Sequence, residues 1–295
     1  MFTTIGLRRQ LRSLYRAMPI RLSFFHHLYF KVREIRDRDK VVVKTIDGIT
    51  YELHLSEFID SEIYSYGCFE EDTTRTIKSI VRAGMTVLDI GANIGAHTLA
   101  MAKTVGSEGQ VIAFEPMAWA RKKLRTNIGL NSFTNIVVEK HALSNRTNIG
   151  SAGFRTSWDR YERASDGVVP EEAVLFDRLD NYVENHNLLT VDFIKLDVDG
   201  FEYKVLEGAV ETIKRFKPTL SMELGHWTLE KQGDTLEALT TLLHSLGYKF
   251  FREADFVEIS SVDAINHEFP DPSTWTINMI VAHSSKVQQL ENGKA

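Results

Sequence analysis

The stretch at positions 85–95, MTVLDIGANIG, constrains the fold of this chain more than any other segment. Its apolar run ends in Asp89, and a turn with two glycines follows before the helix-like segment HTLAMAK begins at position 97. A short apolar run is typical of a buried parallel strand, and glycines let the chain turn sharply into a helix. Because the unpaired N–H groups at the start of that helix favour a polar ligand, the stretch predicts a strand–turn–helix binding site.

The acid at the end of this strand helps to select the ligand. A dinucleotide-binding turn has the pattern G-x-G-x-x-G, in which the second glycine lets the backbone approach the pyrophosphate. Here Asn93 takes that position, and Gly91 and Gly95 are separated by three residues. The negative charge of Asp89 repels a pyrophosphate and attracts an ammonium or sulfonium group. S-adenosylmethionine carries both cations; the alternative is an ordinary strand–turn–helix joint that binds nothing.

Composition limits the class of protein. The chain has 295 residues, 43% of them hydrophobic, which is enough for one large α/β domain, alone or with an extension. The net charge of -5 gives no indication of a nucleic-acid partner. Cys68 is the single cysteine, so no intramolecular disulfide forms and we expect a cytoplasmic protein. No apolar run reaches the roughly 18 residues that predict a membrane-spanning helix.

The first forty residues combine basic side chains with apolar residues at helical spacing. Leu7, Leu11 and Leu14 recur among arginines such as Arg8 and Arg12. A basic amphipathic helix of this kind docks on its own domain or on a second subunit of a homo-oligomer. It can also lie on an anionic membrane surface, as a peripheral contact. Both interpretations stay open at this point.

The remaining chain predicts a β-hairpin followed by alternating strands and helices. The hairpin occupies 41–55 with a D-G turn, and strands follow at 85–90, 110–116, 135–139, 173–176, 191–197, 217–223, 248–252 and 276–282. Helices are predicted at 74–82, 97–103, 119–130, 179–187, 203–216 and 236–246. This alternation predicts an α/β fold with a doubly wound parallel sheet. We divide the chain into an N-terminal extension (1–72), a main domain (73–284) and a polar tail (285–295).

Acidic residues end several of the predicted strands. Glu115 lies at the end of the second strand of the sheet, near the spacing at which an acid meets ribose hydroxyls, although a solvated strand-end acid is the alternative. Asp197 ends the strand at 191–197, and Asp199 lies just beyond it. Because parallel strands deliver their carboxyl ends to one edge, we expect these acids to cluster. Such a cluster suits a general base with a raised pKa or a divalent metal ion, while acids can also simply begin the next helix.

Two further residues are candidates for proton transfer. Glu223 ends the strand at 217–223, and His226 lies just beyond it. Histidine titrates near neutral pH and is the natural candidate base for a hydroxyl, although a lone loop histidine is more often structural. The polar segment 151–170, which includes Trp158 and Arg160, is interpreted as an insertion or a lid over a pocket, or else as a solvated loop.

These motifs together resemble the FkbM family of S-adenosylmethionine-dependent methyltransferases. The matching blocks are LDIGANIG at 88–95, FEP at 114–116, ALS at 142–144, IKLDVDGFE at 194–202 and VLEG at 205–208. The block around Lys195 and Asp197 is the most specific of these, and the likeness extends roughly over 64–223. Asp199 stands where the family more often has glutamate, which preserves the acidity. The arginine-rich start and the segment around Trp158 have no counterpart in the resemblance.

The resemblance implies a class I, Rossmann-like methyltransferase fold with seven strands, the last of them antiparallel. It implies methyl transfer to oxygen, on a sugar, a lipid-linked glycan or a polyketide or other natural-product hydroxyl. Carried over, the cofactor's methionine end meets Asp89, Gly91, Asn93 and Gly95, its ribose meets Glu115, and its adenine lies near His141 and Ala142. Glu70 and Asp197 complete the predicted cofactor contacts.

For catalysis we select Asp197, His226 and Glu223, with Asp197, Asp199 and Glu223 as candidate ligands of an optional divalent metal. We expect a hydroxyl-bearing small molecule or glycan as the partner, and no nucleic acid. Two other classes remain. A nicotinamide dehydrogenase is disfavoured by Asn93 and the glycine spacing. A non-catalytic module that keeps the fold for glycan or partner binding is disfavoured by the retained pair Asp89 and Glu115.

Overall fold

A computed structural model describes residues 40–152, 172–273 and 275–292, and its first described element is the predicted hairpin. Strands β1 (Val41–Ile46) and β2 (Ile49–His54) pair antiparallel across the turn at Asp47 and Gly48. Both turn residues have positive φ, 50° and 71°, which the D-G pair favours. The basic helix expected before position 40 and most of the segment at 151–170 lie outside the described residues.

The remaining strands and the helices alternate as expected in an α/β protein. The strands are β3 (Thr86–Ile90), β4 (Gln110–Phe114), β5 (Ile136–Glu139), β6 (Ala142–Leu143), β7 (Asn148–Ala152), β8 (Glu172–Asp177), β9 (Phe193–Leu196), β10 (Thr219–Leu224), β11 (Tyr248–Arg252), β12 (Glu258–Ile259) and β13 (Ile277–His283). The helices are α1 (Phe58–Tyr66), α2 (Glu71–Ile80), α3 (Ala96–Val105), α4 (Ala118–Gly129), α5 (Leu179–Asn185), α6 (Glu202–Glu207), α7 (Val210–Phe216), α8 (His226–Lys231), α9 (Leu236–Ser245), α10 (Val262–Asn266) and α11 (Val287–Asn292).

The central sheet has the order β12-β11-β13-β10-β9-β3-β4-β5. Strand β3 pairs parallel with β4 and β9, whereas β13 runs antiparallel to both β10 and β11. The seven strands of the class I methyltransferase fold are therefore present, with the last one antiparallel as predicted. The two-residue strand β12 adds an eighth member at the edge, and β6, β8 and β7 form a separate three-stranded sheet.

Helices cover both faces of the central sheet because its strands are apolar on both sides. Leu88 and Ile112 pack in one core with residues of α5, α6 and α9, while Val87 and Val111 pack on the opposite side with residues of α2 and α3. Such near-continuous burial is typical of parallel strands. The helix predicted at 203–216 divides into α6 and α7 around Gly208, where an added Cβ would lie 2.0 Å from the Ser144 carbonyl oxygen.

The hairpin and α1 pack directly on the main α/β layer. Their buried apolar residues share a core with Ile94, in the turn that precedes α3, and with Leu99 of α3. Lys123 of α4 joins this contact through an ion pair with the fully buried Asp60 of α1. At the other end of the chain, the predicted polar tail forms a 3-10 turn and α11, which buries Leu290. Within the described ranges, no helix is both long and apolar enough to span a membrane.

Candidate active site

A cavity opens at the carboxyl ends of β3, β4, β9 and β10, and together with the solvent at its mouth it has a volume of about 920 Å³. Polar and charged side chains face this cavity. They come from the ends of these strands, from the segment before α2, from the turn after β3 and from the start of α3. They are Glu70, Asn93, His97, Glu115, Lys195, Asp197, Asp199 and Glu223. The strand-end acids therefore cluster at one edge of the sheet, as predicted. A parallel sheet places its ligand site at this edge because all the strands point the same way.

The glycine-containing turn after β3 forms the floor of the cavity. Gly91, Asn93 and Gly95 all have positive φ, at 89°, 48° and 91°. A Cβ atom on Gly91 would lie 1.8 Å from the carbonyl oxygen of Asp197, so the turn and the end of β9 approach more closely than any side chain allows. The backbone N–H groups of Gly91 and Ala92 both donate to the Phe114 carbonyl, which holds the turn against β4.

Asp89 lies beneath this turn and is fully buried. One of its carboxylate oxygens accepts a hydrogen bond from Thr98 Oγ1 at 2.5 Å. The other makes no hydrogen bond to the described residues and lies 4.0 Å from Lys195 Nζ. The buried Oδ1 atom of Asn93 likewise has no hydrogen-bond partner there. Buried polar atoms are normally bonded, so this turn retains unused acceptors beside the cavity.

Glu115 is held by the backbone on both sides of its carboxylate. One oxygen accepts the Asn93 N–H at 2.8 Å, and the other accepts the Met117 N–H at 2.7 Å. Burial raises the pKa of Glu115 to about 7, although these two N–H donors act in the opposite direction. Each oxygen still has a second lone pair, so the carboxylate can accept further hydrogen bonds from a ligand.

A smaller apolar cavity of about 310 Å³ adjoins the first and shares Gly91, Pro116 and Val198 with it. Its remaining lining is Ile90, Phe114, His141, Ala142, Leu143, Phe176 and Phe201. His141 Nδ1 lies 3.5 Å from Glu139, and Ala142 is buried. The large polar cavity thus adjoins a small apolar one. His141 and Ala142 line the apolar cavity, where an adenine ring was predicted.

Lys195 is a site residue that the predictions did not select. Its side chain projects from β9 between two acids, with Nζ 2.9 Å from Asp197 and 4.0 Å from Asp89. Burial lowers the pKa of Lys195, but the fields of Asp197 and Asp89 outweigh it and raise the pKa above its ordinary value. The signal was available in the sequence, because residues two apart in a strand share a face and Lys195 precedes Asp197 by two.

Asp197, Asp199 and Glu223 form the other wall of the cavity. Burial raises the pKa of Glu223 well above its ordinary value, and repulsion by Asp197 and Asp199 adds to this. The hydrogen bond that Thr276 Oγ1 donates to Glu223 at 2.7 Å opposes the shift. This wall therefore contains a carboxyl group that holds its proton more tightly than an ordinary glutamate.

His226 lies outside this arrangement. Its Nε2 atom is 2.8 Å from Asn266 Oδ1, and its ring packs 5.0 Å from that of Phe269. It does not belong to the lining of the large cavity. Asn266 and Phe269 come from a distant part of the chain, so no local sequence pattern could have shown that His226 faces them.

Glu202 is a second residue that the predictions did not select. Its buried carboxylate accepts hydrogen bonds from the N–H groups of Val198 and Gly200, at 3.0 and 3.2 Å. These bonds fix the loop that carries Asp199, whose φ is 52°. Burial raises the pKa of Glu202 to about 7, against the effect of the same N–H donors. No group of three or more His, Cys, Asp or Glu side chains in the described ranges has an arrangement that could hold a metal ion.

Several solved structures match this chain at low sequence identity. One is the methyltransferase FkbM from Methylobacillus flagellatus KT, with a TM-score of 0.44 and 16% identity over 76% of this chain and 59% of that one. Another is TYW2 from P. horikoshii, solved in complex with MeSAdo, with a TM-score of 0.43 and 14% identity over 90% and 84% of the two chains. A third, a putative rRNA-methylase from Clostridium thermocellum, has a TM-score of 0.41 and 14% identity over 71% and 92%.

Among curated proteins, no sequence matches this chain. The model of the methyltransferase FkbM domain matches residues 89–250, which is more than half of the 295 residues. That match begins at Asp89 and includes Glu115, Asp197 and Glu223, the acids that line or underlie the cavity. This chain therefore belongs to the FkbM methyltransferase family.

Proposed function

We propose that this protein is an S-adenosylmethionine-dependent O-methyltransferase that acts on a hydroxyl of a sugar, a glycan or a lipid-linked glycan. One observation carries the proposal: two walls of different chemistry face the same cavity. One wall is the turn from Gly91 to Gly95, which has unused acceptors and sits over Asp89. The opposite wall holds Asp197 and Glu223, which can receive a proton.

The residues present fit the cofactor that the family implies. The unused Oδ1 atom of Asn93 lines the cavity and suits the positively charged groups of the cofactor, and the buried charge of Asp89 beneath the turn adds a favourable field. Glu115 retains lone pairs for the two ribose hydroxyls. The adjoining apolar cavity beside His141 and Ala142 suits an adenine ring. The fixed acid beneath the turn would also repel a dinucleotide's pyrophosphate, which argues against the dehydrogenase alternative.

The cofactor, when bound, supplies an activated methyl group, so the chain itself has two tasks. The first is to align the acceptor with the methyl group, which the turn after β3 and the hydrogen-bonded loop after β9 provide. Such alignment contributes up to roughly 7–11 kcal/mol in favourable cases. The second is removal of the acceptor's hydroxyl proton, because an alcohol is a weak nucleophile at neutral pH. We assign the proton to the neighbouring carboxyl groups of Glu223 and Asp197, the second of which lies 2.9 Å from Lys195 Nζ.

The charge of the cavity argues against an anionic acceptor. The ammonium group of Lys195 lies against two acids, Asp197 and Asp89, and Asp199 adds a further carboxyl group to the acceptor wall. A phosphate-rich partner would meet repulsion there, so nucleic acid is an unsuitable substrate. A polyketide or other natural-product hydroxyl meets the same charge requirement and remains an alternative acceptor.

The test combines binding with product detection. Titration calorimetry should give binding of S-adenosylhomocysteine and none of NAD. Mass spectrometry of candidate glycans, lipid-linked glycans and polyketides, incubated with the protein and isotope-labelled cofactor, should show the gain of one methyl group. Gly91→Ala is the matched negative control, because the added Cβ would collide with the Asp197 carbonyl. Binding of NAD instead of S-adenosylhomocysteine would overturn the proposal.

A further inference from the structure

One stretch of the chain contains basic residues and no acids. Positions 116–138 include no aspartate or glutamate, although the chain as a whole has a net charge of -5. The basic residues of this stretch all lie in α4, and they are Arg121, Lys122, Lys123 and Arg125. A local concentration of positive charge on an acidic protein indicates a surface for an anionic partner.

Two of these basic residues share the exposed side of α4 with two large apolar residues. Lys122 and Arg125 are exposed and form no ion pair with a described residue, whereas Lys123 is buried in an ion pair. Trp119 is 42% exposed, and Leu130, directly after the helix, is 39% exposed. Residues three apart are neighbours on a helix surface, so Trp119, Lys122 and Arg125 form a continuous stripe.

The stripe begins at the mouth of the large cavity. Trp119 lines that cavity together with Pro116 and Met117, because α4 starts just after the carboxyl end of β4, where the cavity opens. From there the 12 residues of the helix extend about 18 Å away from this edge of the sheet. A partner bound along the stripe therefore lies beside the entrance to the site.

The combination of exposed cations and exposed apolar side chains suits a lipid bilayer with anionic headgroups. Lysine and arginine are attracted by the negative potential of such a surface. Tryptophan and leucine gain from burial at the boundary between headgroups and acyl chains. A nucleic acid would contact the cations but would leave Leu130 in water, and its phosphates would approach the acids of the cavity beside Trp119. The apolar residues therefore favour a membrane over a nucleic acid.

We propose that the exposed side of α4 binds an anionic lipid bilayer. The two apolar residues lie at the depth of the headgroups, and the two exposed cations contact lipid phosphates. The inference goes beyond the proposed function, because binding to a bilayer requires neither the cofactor nor an acceptor. Such binding places the mouth of the cavity at the bilayer surface. Among the proposed acceptors, a lipid-linked glycan then reaches the site without leaving the membrane.

Vesicle sedimentation with the full chain tests the proposal. Vesicles made of equal parts phosphatidylcholine and phosphatidylglycerol should bind the protein, and vesicles of phosphatidylcholine alone should bind it far more weakly. The double variant Lys122→Glu, Arg125→Glu should bind the anionic vesicles about 30-fold more weakly or worse. The matched control is Lys214→Glu, Arg215→Glu, because these exposed residues end α7 just before the amino end of β10, at the opposite edge of the sheet. The control should bind as the wild type does.

Tryptophan fluorescence tests the apolar part of the contact. An indole that enters a bilayer emits at shorter wavelength, so anionic vesicles should shift the emission of the wild type. Trp119→Phe should remove most of this shift while it keeps an aromatic ring at the position. A shift of the same size in Trp119→Phe would overturn the inference, since Trp119 would then lie outside the contact.

Three outcomes of the sedimentation experiment would also overturn the inference. The first is wild-type protein that does not bind anionic vesicles. The second is equal binding by the wild type and the α4 double variant, which would assign the contact to another segment, such as the basic residues before position 40. The third is α4-dependent binding of an RNA duplex in place of vesicles.

Two further measurements keep the result decisive. Circular dichroism and thermal unfolding show whether the double variant is folded. Should it fail to fold, Lys122→Gln, Arg125→Gln replaces it, with an expected loss of about 10-fold. Titration of S-adenosylhomocysteine in the absence of vesicles tests the proposed function alone, so failure of one proposal is distinguishable from failure of the other.

Discussion

The two walls of the cavity stabilise their acids in different ways. On the wall formed by the turn after β3, each acid is matched to a donor: Asp89 accepts from Thr98, and Glu115 accepts from two backbone N–H groups. On the opposite wall, Asp197 has Lys195, whereas Glu223 accepts a hydrogen bond from the Thr276 hydroxyl and is opposed by the negative fields of Asp197 and Asp199. The first wall is held in one shape by the backbone, whereas the second contains a carboxyl group whose protonation depends on its neighbours.

This difference suits the separate tasks of binding and proton transfer. A binding surface gains from donors and acceptors that do not move, because less ordering is needed when the ligand arrives. A proton acceptor gains from a pKa close to the working pH, which burial and neighbouring like charges provide. Substitutions that affect one wall and not the other test this difference.

The largest effect is expected at the close approach between the walls. Gly91→Ala places a Cβ 1.8 Å from the Asp197 carbonyl oxygen at a φ of 89°, so we expect a stability loss of several kcal/mol and no measurable binding of S-adenosylhomocysteine. Thermal unfolding and calorimetry measure the two effects.

Gly84→Ala is the matched control, because Gly84 also has a positive φ, 80°, but nothing lies within 4 Å of its added Cβ. It should cost only the backbone strain, about 1 kcal/mol, and leave binding unchanged. Similar losses in the two variants would show that the walls do not approach each other as described.

The next largest effect is expected on the acceptor wall. Glu223→Gln and Asp197→Asn remove the proposed proton acceptors, so turnover should fall by about 10²–10⁴-fold. We expect the affinity for S-adenosylhomocysteine to change far less in Glu223→Gln, because the turn and Glu115 are untouched. Single-turnover kinetics beside calorimetry separates the two quantities. Full turnover in both variants would remove the assignment.

Wild-type turnover should also rise with pH, since protonated Glu223 cannot accept a proton and its pKa is raised. In Glu223→Gln this rise should flatten. A pH profile identical to that of the wild type would mean that a different group titrates.

A smaller effect is expected at Glu202, whose pKa is about 7 in the folded protein against an ordinary value of 4.5. Between these values the folded protein keeps a proton that the unfolded chain has released, so the free energy of unfolding falls as pH rises and levels off above pH 7. Glu202→Gln removes this contribution. Relative to the wild type, the variant should therefore be less destabilised at pH 8 than at pH 5, by a few degrees in Tm. A difference that is independent of pH would contradict the raised pKa.

The smallest effect is expected from metal removal. The ammonium group of Lys195 already lies between Asp197 and Asp89, where it balances the charge that a divalent cation would otherwise balance. Turnover should therefore be unchanged after treatment with EDTA. Loss of activity that Mg²⁺ restores would return Asp197, Asp199 and Glu223 to the role of metal ligands.

The sequence determined the sheet and the edge at which its acids gather. Apolar runs, the Gly91-to-Gly95 turn and the position of Asp89 and Glu115 at strand ends are local patterns, and the direction of parallel strands carries them to one side. The individual strands of the central sheet other than β12, and the turn after β3, could be predicted for this reason, whereas their class I arrangement was what the family resemblance implied. The short strands β6, β7 and β12 could not, because their pairing depends on partners rather than on their own residues.

The tertiary structure decided which side chains face the cavity and what charge they carry. It brings His97 to Glu70 across α2 and α3, pairs Lys195 with two acids, and turns His226 toward Asn266 instead of the site. These contacts join residues that are far apart in the chain, and a raised pKa such as that of Glu223 follows from burial and neighbouring charges. A residue's type and spacing do not contain that information, because burial and charged neighbours exist only once the elements have packed.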